Sequence, residues 1–246
     1  PVAEQRAVRI MLDAAALSED QQAYVSALTA RCAAHLAALT PAERAIFTDV
    51  WTLMARTAAP VVARALHTSA EVAQSALAKL VSYGLLWFDP DLRAVLQCPP
   101  FSVLNTPHRV KAFGWDAAFV CSFVDIPLAL LLYGPNTWLS AQSLCPHSGE
   151  RLTFRVLLTD QRALRLDAPA SASRWRIWLP ELSPAGLAVG SGGARSRVNA
   201  FFTSADLDTY LHYHPAERGH RFTLEQAVYL GQALLQVYYA ALGRPR

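Results

Sequence analysis

Up to Cys98 the apolar positions recur at helical spacing, and beyond it short alternating runs take over. Val2–Leu39, rich in Ala, Leu and Gln, reads as two helices, the second opened by Ser18-Glu19-Asp20-Gln21. Thr40-Pro41-Ala42-Glu43 opens the next. It places a threonine cap, a proline at the first helical position and a glutamate that closes a capping box, and the helix should run to Arg56. A short helix fits Pro60–Leu66. A longer one starts at Thr68-Ser69-Ala70-Glu71, again read as a capping box, and ends at Gly84. Leu85–Phe88 and Ala94–Gln97 flank Asp89-Pro90-Asp91, which predicts a β-hairpin. Helices followed by a hairpin in this order predict a winged helix-turn-helix module.

Cys98-Pro99-Pro100 marks a boundary. Phe113–Leu132 is a long apolar segment expected to begin as a helix, while Thr137–Leu144 and Arg151–Leu158 read as strands. Arg174–Leu179 alternates, with Trp175, Ile177 and Leu179 on one face. Glycines lead into Arg195–Phe202, and Asp206 and Asp208 follow Ser204 as at a helix N-terminus. Thr223-Leu224-Glu225-Gln226 caps a final helix reaching Leu242, with Ala227, Leu230, Leu234 and Val237 on one stripe. Strands mixed with helices, without β-α-β alternation, predict an α+β fold. The expected organisation is N-terminal helices over 1–39, the winged-helix module over 40–99 and a mixed sheet–helix ligand domain over 100–246.

Composition narrows the function classes. The chain of 246 residues is 53% hydrophobic and 17% charged, a globular balance. Its longest apolar run, Ile126–Tyr133, contains Pro127 and is far below the roughly 20 residues of a membrane span. Residues 1–39 carry charges throughout, with no basic–apolar–small signature of a secretory signal. The four cysteines, Cys32, Cys98, Cys121 and Cys145, are too widely spaced for a C-x-x-C metal motif and read as reduced, buried thiols of a cytoplasmic protein. The formal charge of +3 divides into −1 over residues 1–100 and +4 over the rest, so neither part is a polyelectrolyte binder. Lys79 is the sole basic residue between Ser69 and Gly84, which argues against nucleic acid as a partner. A small-molecule substrate, no cofactor, no membrane and a homodimer as the candidate assembly are the expectations.

Several short motifs occur in a telling order. They are Pro100-Phe101-Ser102-Val103, Phe113-Gly114-Trp115-Asp116, Ile126-Pro127 and Ser143-Leu144-Cys145-Pro146-His147-Ser148-Gly149. Then come Pro184-Ala185-Gly186, Asn199-Ala200-Phe201-Phe202-Thr203-Ser204, and Glu225-Gln226-Ala227 with Gly231-Gln232. This ordered set, together with the winged-helix-like module before it, covers about residues 40–240 and resembles the organomercurial (alkylmercury) lyases. The resemblance implies a winged-helix-like module followed by a mixed catalytic domain. It also implies protonolysis, in which two cysteine thiolates hold mercury and an aspartate relays a proton to the departing carbon. Soft sulfur suits a soft metal, and the carbon needs an acid within reach.

Carried onto this chain, the resemblance allows two registers. In one, Asp116 stands in place of the first cysteine and Phe119 in place of the acid, with Trp115 as the anchor. In the other, Cys121 is the first cysteine and Asp125 the acid, four residues apart and on one face of a helix. The first needs no shift before the helix and is preferred. Counting back from Phe201-Phe202 places the second cysteine at Ser196, a hard hydroxyl that does not replace a thiolate for mercury. Cys145 matches a structural cysteine. Arg195 and Arg197 flank Ser196 after Gly192-Gly193 and would share one strand face, an arrangement suited to an anion. His212-Tyr213-His214 would set two imidazoles on one strand face, without an acid or cysteine nearby to complete a zinc site.

The resulting expectation is a divergent lyase-like enzyme that cleaves or protonates a bond to carbon in a small organic substrate. Asp116 would be acid or base, its pKa raised by burial against Trp115 and Phe119. Ser196 would supply a hydroxyl, and Arg195 or Arg197 with Asn199 would bind the substrate. The alternatives are a winged-helix protein that senses a small molecule without chemistry, and true alkylmercury lysis through Cys121 and Asp125.

Overall fold

A computed structural model describes residues 17–160, 163–182 and 194–243. The first predicted helix, the Pro184-Ala185-Gly186 turn and Gly192-Gly193 lie outside these residues.

Helix α1 (Glu19–Ala37) and helix α2 (Pro41–Thr57) each start with a complete capping box, Ser18 with Gln21 and Thr40 with Glu43. Helix α3 (Ala70–Ser82) is capped by Ser69 alone. Its third residue is Val72, which has no acceptor to return the bond, so the box expected there does not form. Gly84, at φ +65°, supplies the left-handed turn beyond this helix.

The helix expected over Pro60–Leu66 is absent. Val61–Val62 forms strand β1, paired with Val95 and Ala94, and a single 3-10 turn follows at Ala63–Ala65. Two β-branched residues beside an open sheet edge gain more from pairing than from a two-turn helix.

Strands β2 (Trp87–Asp89), β3 (Ala94–Cys98), β4 (Phe101–Ser102), β5 (His108–Ala112) and β6 (Ala118–Val120) join β7 (Trp138–Leu144), β8 (Arg151–Leu158) and β9 (Leu164–Asp167) in one antiparallel sheet. Its order is β1-β3-β4-β6-β5-β7-β8-β9, with β2 paired to β3. The pairing of β3 with β4 carries the sheet straight across Cys98-Pro99-Pro100. On β5, β7 and β8 buried and exposed residues alternate, so one face packs on the core and the other meets solvent.

The segment Phe113–Leu132 does not begin as a helix. A turn at Gly114 leads into β6, whose two edges pair with β4 and β5. Two 3-10 turns, Phe123–Asp125 and Pro127–Ala129, then lead into the short helix α4 (Leu130–Tyr133). Sheet partners satisfy the backbone of β6, and Pro127 has no N–H to continue a helix through the turn.

A second sheet places β10 (Arg176–Pro180) between β11 (Asn199–Phe201) and β12 (Gly219–Phe222). The predicted Arg195–Phe202 strand is therefore shorter, and Ala194–Arg197 is a 3-10 turn. Helix α5 (Ser204–Tyr213) is capped by Thr203 with Asp206, and it takes in His212 and Tyr213, which were expected on a strand.

Helix α6 (Leu224–Leu242) closes the core. Leu224, Ala227, Leu230, Leu234 and Tyr238 are buried along it, and Val237 is half-buried. It packs on α1 and on the turns that precede α4. Gly231 permits that approach, since a Cβ there would lie 2.6 Å from Pro127 Cγ. Among the described residues no helix is long and apolar enough to cross a membrane.

Candidate functional site

Two 3-10 turns distant in sequence meet inside the molecule. The first, Phe123–Asp125, leaves β6 with Cys121 and Ser122 at its entrance; the second, Ala194–Arg197, leads into β11. Asp125 is fully buried and Arg195 is 3% exposed. Arg195 Nη1 donates to Asp125 Oδ1, and Ser122 Oγ donates to Asp125 Oδ2 at 2.6 Å. Both carboxylate oxygens thus have donors, as a buried charge requires.

The charges respond to this setting. Burial pushes the Asp125 carboxyl above its usual range, while the guanidinium and the Ser122 hydroxyl oppose that. Arg195 is held in its charged form: burial opposes the charge, and Asp125 together with the surrounding Tyr238, Cys32 and Cys121 more than offsets it. Cys32 and Cys121 feel both charges of the pair, and Cys98 feels Arg195. Burial pushes Cys121 and Cys98 far up and raises Cys32, so all three are neutral thiols at neutral pH. The Cys121 thiol donates to the Phe101 carbonyl at 3.0 Å. The Trp51 indole, near the Cys98 thiol without a full hydrogen bond, stacks on Tyr238 at 5.7 Å. Among the described residues no cluster of three His, Cys, Asp or Glu side chains is placed to hold a metal ion.

His108 anchors the second turn to the sheet. It lies buried on β5, with Nδ1 2.8 Å from Ser143 Oγ and Nε2 3.1 Å from the Val198 carbonyl. A carbonyl only accepts, so Nε2 carries the proton and Nδ1 accepts from the serine. Burial lowers the His108 pKa to about 4, which keeps the ring neutral. Sequence reading weighed this residue only among the histidines that could suggest a metal, and gave it no role. The available signal was a histidine on the inward parity of an alternating strand.

The predicted site residues separate. Asp116 is exposed at the turn between β5 and β6, so the burial expected against Trp115 and Phe119 is missing. Trp115 is half-buried, edge-on to Tyr133 at 5.1 Å. Phe119 is half-buried under the Arg109 guanidinium, 4.8 Å from its ring centre. Ser196 is exposed while Arg195 beside it is buried, because the turn replaces the expected strand alternation. Arg197 is half-buried with its Nε buried and unbonded, and Asn199 is buried in β11 opposite Trp178. The second register fares differently: Cys121 and Asp125 are buried together, on a strand end and a 3-10 turn rather than one helix. Cys145 is buried at its turn, accepting from the Ser148 N–H at 3.5 Å.

This architecture has a solved counterpart. It superposes on the crystal structure of the mercury-bound form of MerB2 with a TM-score of 0.63 and 19% sequence identity, over 86% of this chain and 98% of that one. The chain therefore has a MerB-like fold, the fold of an organomercurial lyase. No family model and no curated protein matches it.

Proposed function

We propose that this chain is a repurposed enzyme on the MerB-like fold, acting on a bond to carbon in a small organic anion rather than on a carbon–mercury bond. The carrying observation is the guanidinium of Arg195 on Asp125. Protonolysis of a metal–carbon bond needs a carboxylate free to accept and return a proton, beside thiolates. Here the carboxylate is bound on both oxygens and the neighbouring thiols are held neutral.

The same pair suits an anionic substrate. A substrate carboxylate that replaces Asp125 on Arg195 gains a bidentate partner. Asp125 then loses its counter-charge in a water-poor site, takes up a proton and becomes a general acid for carbon. The step balances as a decarboxylation: the carbon–carboxylate bond leaves its electron pair on carbon, the carboxylate departs as neutral carbon dioxide, and the pair takes the Asp125 proton. This role moves acid function from Asp116 to Asp125.

The helices and hairpin over residues 41–98 support reading that part as a winged-helix-like module used for packing. Its Lys79 is already paired with Glu43 at 2.8 Å and donates to the Ala38 carbonyl, which weighs against phosphate binding by α3.

The test has two arms. Methylmercury with excess free thiol is expected to give no methane above the protein-free rate; methane release abolished by Cys121→Ser would overturn the proposal. A panel of small carboxylic acids is expected to contain members that raise the melting temperature of the wild type and not of Arg195→Lys. Absence of any such member would overturn it equally.

A further inference from the structure

The solvent face of the sheet carries a second site, unrelated to the buried pair. On β5, β7 and β8 the outward residues fall into two rows by register. Arg109 stands opposite Gln142 and Gln142 opposite Thr153; Lys111 stands opposite Ser140 and Ser140 opposite Arg155. These six line a basin of about 470 Å³. Ala117 borders it on one side and Ala168-Pro169 on the other. The volume falls in the range of small-molecule sites, roughly 300–1,000 Å³.

The charge is lopsided. Arg109, Lys111 and Arg155 are three cations, and Asp167 is the one acid in the lining. Asp167 is spent on Arg155, accepting from Nε at 2.8 Å and from Nη2. Lys111 and Arg109 have no carboxylate partner among the described residues. Two positive charges therefore remain above a floor of hydroxyl and amide groups, which can donate to or accept from oxygen. The guanidiniums are also pre-oriented. Arg109 lies over Phe119 and Arg155 over Trp138, at 4.8 and 4.9 Å from the ring centres.

The geometry points to a binding site for a small organic dianion, of the phosphomonoester type, on this face. Two unpaired cations match two negative charges, and the polar floor matches the oxygens around them. Single-stranded nucleic acid fits less well. It needs an open basic track with free aromatic faces for stacking. Here the two rings beside the basin are covered by guanidiniums.

Calorimetric titration of the full chain with phenyl phosphate tests this directly. Saturable binding is expected, weakened roughly tenfold or more in Lys111→Glu, which reverses one of the two unpaired charges. Asp167→Asn should tighten binding by about fivefold, because it releases Arg155. Arg165→Gln, on the same sheet and outside the basin, should leave affinity unchanged. All three positions are at or near the surface, so the variants remain folded and each outcome is readable. No saturable binding up to millimolar phenyl phosphate would overturn the proposal, as would affinity insensitive to Lys111→Glu. Binding of oligothymidylate without binding of phenyl phosphate would assign the face to nucleic acid and overturn it too. None of these substitutions touches Asp125 or Arg195, so the outcome is independent of the catalytic reading.

Discussion

Replacing Arg195 by methionine removes the guanidinium from a carboxylate in the core and leaves it the Ser122 hydroxyl as a donor. Asp125 is fully buried and Arg195 nearly so, and solvent does not screen the change. Removing one partner of a buried pair costs about 3–5 kcal/mol, largely the desolvation of the charge left behind. The cost has a pH signature. Without the guanidinium the folded-state pKa of Asp125 rises further above its unfolded value near 3.9. A raised carboxyl pKa means the folded state binds more protons than the unfolded one, so stability falls as pH rises between the two values. The deficit should therefore be large at pH 8 and shrink toward pH 5, by about 1.4 kcal/mol for each pH unit below the folded pKa. Arg195→Met combined with Asp125→Asn removes the stranded charge, and should be more stable at pH 8 than Arg195→Met alone. Urea unfolding of wild type, both single variants and the double variant at pH 5 and 8 measures all of this. A single-variant loss below about 1 kcal/mol, or strict additivity in the double variant, would refute the buried pair as described.

Three further outcomes are expected. His108 sits well below its ordinary pKa when folded, so its stabilisation is complete above the unfolded value near 6.5 and is lost as pH falls toward 4. The loss is about 3 kcal/mol across that window, and His108→Gln should flatten the stability–pH curve there even while lowering it elsewhere. Gly231→Ala normally favours a helix by up to about 1 kcal/mol, yet the contact with Pro127 Cγ should reverse the sign and cost about 1–3 kcal/mol in thermal unfolding. Asp116→Asn, at an exposed turn, should change stability by less than about 0.5 kcal/mol; a larger loss would place Asp116 in a structural or catalytic contact that the fold does not show.

What was legible in the sequence was local. Ser18, Thr40 and Thr223 announce helices because cap and third residue together satisfy orphan N–H groups, a pattern complete within four residues. Alternation over 138–144 and 151–158 gave strands β7 and β8 for the same reason. The failures are long-range. Val61–Val62 and Ala118–Val120 became strands because partners elsewhere in the chain offered edges, which no local window records. The resemblance led to the right fold, but its preferred register relied on a helix at Phe113 that is not there. Arg195 was read as one of two arginines for an anion, yet its observed partner is Asp125 from the other register, seventy positions away. His108 was given no role because its partners, Ser143 and the Val198 carbonyl, lie 35 and 90 positions away, beyond any local spacing.

The separation between Asp125 and Arg195 also orders events on the ribosome. Seventy residues divide them, and at about 5–20 residues per second Asp125 leaves the exit tunnel roughly 4 to 14 s before its partner. During that interval the carboxylate keeps its hydration, so the inner face of the large sheet stays open to water around β6 while β7, β8 and β9 are already synthesised. Final closure waits for the last helix, whose contacts with α1 join residues two hundred positions apart. A nascent chain ending before residue 195 should consequently be an unclosed sheet with a wet apolar face, a species for chaperones to shield rather than a folded half.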